Sequence, residues 1–85
     1  MAKNQAFVEA FGRNLKKIID DLKKTPEDVA AHGDIETKQV YRVINGEHSS
    51  GLNTIYALAK GLGVAPKVLF DFDFKYDFKL EDDSK

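Results

Sequence analysis

From residue 4 to about residue 23 the apolar positions Val8, Phe11, Leu15, Ile18, Ile19 and Leu22 recur at three- and four-residue intervals. That spacing predicts one face of an amphipathic helix. Thr25-Pro26-Glu27-Asp28 predicts a second start: Thr25 as N-cap, Pro26 at the first helical position where its missing N–H costs nothing, and two acids in the first turn. This helix has to stop near Gly33-Asp34, because both residues tolerate a left-handed backbone better than most. After an apolar anchor at Ile35, residues 36–44 put Val40, Val43 and Ile44 on one side and Thr37, Lys38, Tyr41 and Arg42 on another, a third helix ended by Asn45-Gly46. Beyond a polar loop, Leu52, Ile55, Leu58, Ala59 and Leu62 repeat at helical spacing up to Gly63, and Ala65-Pro66 restarts the chain for a short fifth helix carrying Val68, Leu69 and Phe70. The expected body, residues 1–70, is therefore all-α with five helices.

The period then changes. Phe70, Phe72, Phe74, Tyr76, Phe78 and Leu80 alternate with Asp71, Asp73, Lys75, Asp77, Lys79 and Glu81, which predicts a β-strand with an aromatic and a charged face; with a frayed end at residues 82–85 it makes up a C-terminal segment of strand and tail, residues 71–85. A lone strand of this kind needs a partner. Antiparallel pairing with a second copy centred on Tyr76 sets Asp73 opposite Lys79 and Lys75 opposite Asp77, although Asp71 then faces Glu81. The expected dimer interface is Phe72, Phe74, Tyr76, Phe78 and Leu80. Folding back onto the helices and docking of a different protein are the alternatives.

With 85 residues the chain can bury one modest core. No apolar run is long enough to span a membrane and the first residues show no export pattern, so a cytoplasmic protein is expected. There is no cysteine, and His32 and His48 lie far apart without an acidic partner at ligand spacing, so neither metal nor other cofactor is expected. No nucleophile–base pair or phosphate-binding glycine loop marks an enzyme, and no catalytic residue is assigned. The net charge of −1 conceals a division: residues 1–70 carry ten Lys/Arg against eight Asp/Glu, whereas residues 71–85 carry three against six. A mildly basic body alone is weak evidence for a nucleic-acid partner.

Two short helices joined by a tight turn, with an apolar anchor after it and a polar outer face on the second, make up the DNA-reading helix-turn-helix. TPEDVA, Ile35, Val40, Arg42-Val43, Asn45-Gly46 and LNTIYALAKGLGVAPKVLF resemble, in order and spacing, the lambda-repressor-like, Cro/C1 or XRE family of helix-turn-helix regulators. With FGRNLKKI the resemblance extends over most of the body. There are departures. Pro26 stands where the family usually has a phosphate-contacting Gln, Gly33 where a Leu or similar residue is usual, and Asp34 where Gly is usual, so the turn relies on a left-handed Asp34. The family often pairs an Arg late in helix 1 with a Glu near the end of helix 3; here these are Ile19 and Ile44, which exchanges a buried ion pair for an aliphatic contact.

The resemblance implies that Glu36, Thr37, Lys38 and Arg42 face base edges, with Tyr41 at the margin. Arg42 can donate two parallel bonds to guanine, Lys38 can donate to the same atoms, and Thr37 offers a hydroxyl or a methyl. Glu36 can accept from cytosine or simply favour the helix N-terminus, the latter being preferred. Phosphate candidates are Lys16, Thr25, Gln39, Asn45, His48 and Ser49, with the backbone amides near Leu52. The expected function is a sequence-specific, double-stranded-DNA-binding transcriptional regulator, a repressor by family tendency, acting as a homodimer. The alternative is an antitoxin-type module whose C-terminal strand binds another protein.

Overall fold

The computed structural model describes residues 3–47 and 49–81. Four α-helices form the body: α1 (Lys3–Asp21), α2 (Pro26–Gly33), α3 (Thr37–Ile44) and α4 (Leu52–Leu62). Their apolar stripes meet in one core, in which Leu15, Ile19, Val29, Val40, Leu58 and Leu69 are fully buried. Ile19 and Ile44 both pack into this cluster, an aliphatic core without an ion pair where the family often places one.

The start of α2 is over-determined. Thr25 Oγ1 accepts from the Asp28 amide at 3.1 Å and Asp28 Oδ2 accepts from the Thr25 amide at 3.0 Å, a reciprocal capping box, with Pro26 in the first turn. The helix ends on Asp34 at φ 62°, whose amide bonds the carbonyl of Ala30, so an aspartate performs the left-handed turn expected of it. Gly33 is buried because α4 passes so close that a Cβ there would overlap the Ala57 carbonyl; reciprocally, a Cβ on Gly61 would overlap the carbonyl of Val29. Gly12 plays the same part on α1, lying against the Val43 and Ile44 carbonyls at the end of α3.

Two expectations need correction. The fifth helical element is a 3₁₀ turn, Pro66–Phe70, rather than an α-helix. Five residues are too few to establish an α-helical hydrogen-bond ladder, and the bonds formed are the shorter Val68 amide to Ala65 carbonyl and Asp71 amide to Val68 carbonyl. No β-strand occurs among the described residues. The tail bends at Phe72 and again at Asp77 and Phe78, no other strand among the described residues offers it a ladder, and its first aromatics pack onto α1 instead. The Phe72 and Phe74 rings lie 5.5 and 5.0 Å from that of Phe7, and the Phe70 ring 5.1 Å from that of Phe11. Asn14 Nδ2 secures the path by donating to the Leu69 carbonyl at 3.0 Å.

Candidate nucleic-acid interface

α3 is only eight residues long, so its position is set by its neighbours rather than by its own helical stability. Val40 and Val43 enter the core, and Gly12 lets α1 cross close behind its last turn. Gln39 Nε2 donates to Thr54 Oγ1 at 3.2 Å, tying it to the first turn of α4. Tyr41 Oη donates to Glu27 Oε2 at 2.9 Å, tying it to the first turn of α2.

Opposite the valines, Lys38, Tyr41, Arg42 and Asn45 recur at three- and four-residue spacing as one exposed stripe. Lys38 and Arg42 make no ion pair or hydrogen bond with any described residue, leaving their donors free. Thr37 is half-buried in the first turn. Glu36 is the N-cap, but its carboxylate makes no capping bond, so only its charge can favour the helix end. Tyr41 is held by Glu27, and this bond, the foremost cause, raises its pKa above the ordinary tyrosine value, with desolvation adding and Lys16 opposing.

The phosphate candidates are less uniformly available. Lys16 Nζ pairs with Asp20 Oδ2 at 2.8 Å, an exposed i,i+4 bridge that solvent screens and a phosphate can displace. Thr25 spends its acceptor on the capping box and keeps its hydroxyl proton; Gln39 is turned to Thr54. Asn45 Nδ2 reaches Glu47 at 3.5 Å, a weak contact. Ser49 is exposed, and His48 lies outside the described residues. The first turn of α4 follows Gly51, which supplies no side-chain cap.

Sequence reasoning missed Glu27. It read as one of two acids favouring a helix start, and nothing in periodicity ties it to a tyrosine 14 residues away on another helix. Of the expected interface residues, Phe72 and Phe74 are partly buried on Phe7, whereas Tyr76, Phe78 and Leu80 remain exposed at 42%, 62% and 60%. No described helix is long and apolar enough to cross a membrane.

Two short helices, α2 and α3, joined through the left-handed Asp34, with an exposed cationic stripe on the second, form a helix-turn-helix that resembles the lambda-repressor-like, Cro/C1 type. Among solved structures the chain is similar to the restriction-modification controller protein C.AhdI from Aeromonas hydrophila, with a TM-score of 0.72 and 26% sequence identity over 76% of this chain and 98% of that one. No protein-family model and no curated protein matches the chain.

Proposed function

We propose that this chain is a sequence-specific regulator that binds double-stranded DNA with α3 in the major groove, working in the cytoplasm as a homodimeric repressor. The observation that carries the reading is the stripe on α3, where Lys38 and Arg42 project without partners from a short helix braced on three sides. Free forked and point-charge donors on a rigid element are what reading guanine edges requires. The similarity to a restriction-modification controller supports a regulatory role. Homodimerisation is supported by the exposed Tyr76, Phe78 and Leu80, and a two-fold pair suits half-sites about one helical turn apart.

Selecting bound duplexes from a randomised library tests the reading. A single recovered motif, two-fold symmetric and relaxed at one position of each half by Arg42→Ala, is the expected result; recovery of no preferred sequence refutes it. The same exposed tail aromatics also favour a second reading, in which a different protein docks there, and a partner that copurifies with the full chain but not with a chain ending at Lys75 would establish it.

A further inference from the structure

Tyr41 lies within the exposed stripe, yet the protein has already divided its hydrogen-bonding capacity. A phenol has one proton and two acceptor lone pairs. The proton is given to Glu27 Oε2 at 2.9 Å. Glu27 lies in the first turn of α2 and makes no other hydrogen bond among the described residues, while the nearby cation Lys16 is paired with Asp20. The phenol therefore faces outward with lone pairs only.

We infer that Glu27, although it touches no base, determines sequence specificity by accepting the hydrogen bond of the Tyr41 hydroxyl and leaving Tyr41 an acceptor-only reader of the major groove. The inference rests on the proposed DNA-binding function. In the major groove only adenine N6 and cytosine N4 donate, whereas guanine and thymine present acceptors. The hydroxyl oxygen of Tyr41 accordingly selects adenine or cytosine at the position it meets. It is also unsuited to a phosphate, which only accepts, and the Glu27 charge beside it repels phosphate further. The raised tyrosine pKa acts in the same direction, since the phenol keeps the proton it gives to Glu27.

A bond that merely braces α2 against α3 would make a different prediction. Its loss would weaken binding to every sequence alike, with no change in base preference. The test is selection from a random duplex library with the full chain, its Tyr41→Phe, Glu27→Gln and Glu27→Ala variants, and Glu27→Ala in the Tyr41→Phe background. Tyr41→Phe should remove a preference of roughly threefold to tenfold for adenine or cytosine at one base pair, the size of a single hydrogen bond. Glu27→Ala should erode the preference at that same base pair, because the phenol can then donate as well as accept, whereas Glu27→Gln, whose amide oxygen still accepts from the phenol, should keep most of it. Positions read by Arg42 should be unchanged, and Glu27→Ala should add nothing to the profile of Tyr41→Phe. If the parent chain selects a motif in which Arg42→Ala relaxes one position, while Tyr41→Phe and Glu27→Ala select it with unaltered preferences, Glu27 has no part in specificity and the DNA-binding reading stands. If the parent chain selects nothing, both fail.

Discussion

Arg42 and Lys38 share one stripe and one sign of charge, but only Arg42 can present two parallel N–H groups in a fixed fork. Arg42→Ala should therefore cost about tenfold or more in discrimination at one base pair, the lower range of a bidentate contact, and change affinity for unrelated sequences little. Arg42→Lys, which keeps the charge but not the fork, should recover little of that discrimination. Competition binding against single-base-pair variants of the selected motif measures both, and equal discrimination in all three proteins would remove Arg42 from the base-reading set. Asp28 allows a prediction about stability. The Thr25 backbone amide, then the Thr25 hydroxyl, hold its carboxyl below the ordinary aspartate pKa. A depressed carboxylate contributes stability that is present above its unfolded pKa and disappears as pH falls through the folded value. Between about pH 4 and pH 2 the thermal midpoint of the parent should thus fall more steeply than that of Asp28→Asn, which cannot ionise there. Parallel melting curves from circular dichroism across this range would disprove the contribution.

The helices cross where glycine permits it, and this reverses an ordinary expectation. Replacing glycine by alanine inside a helix usually gains up to about 1 kcal/mol. At Gly61 and Gly12 the new Cβ would instead run into backbone carbonyls, of Val29 in one case and of Val43 and Ile44 in the other, and neither can swing aside as a side-chain tip could. Overpacking of this kind typically costs about 1–3 kcal/mol. Gly61→Ala and Gly12→Ala should each lower the guanidinium midpoint, with Gly12→Ala also weakening DNA binding because it displaces the end of α3. A raised midpoint in either would show that the helices have room to separate. The same geometry shows where the sequence was readable and where it was not. Helices α1 to α4 were legible because their apolar spacing and their punctuation at Thr25-Pro26, Gly33-Asp34 and Gly63 agree. The α2–α4 approach was not, because closeness between helices leaves no periodic trace. Gly33 showed only as a departure from the family's larger residue, and the Ala57 carbonyl supplies its reason.

For the molecule as a whole, alternation of aromatic and charged residues in the tail pointed to a strand that does not form among the described residues, and it could not say what would cover the aromatic side. Phe7, four residues before Phe11, continues the apolar spacing of α1, but that spacing says nothing of which ring would receive Phe72 and Phe74. Beyond Phe74 the stacking continues without a floor: Tyr76 lies 5.3 Å from Phe74 and Phe78 5.4 Å from Tyr76, ring centre to ring centre, with Phe78 and Leu80 mostly in solvent. The tail thus divides into a half packed on this chain's own α1 and a half left exposed. Phe78→Asp with Leu80→Asp should keep the body intact, since neither side chain joins the core, yet shift sedimentation equilibrium from dimer to monomer. Two linked recognition helices gain effective concentration that a single one lacks, and losing it should weaken binding to a two-fold motif by about a hundredfold while leaving half-site binding unchanged. A double variant that still sediments as a dimer would instead direct attention to α4, where Leu52 and Tyr56 stand one turn apart at 84% and 67% exposure. In that arrangement the tail would play no part in spacing the half-sites, and shortening the chain to Lys75 would leave operator affinity as it was.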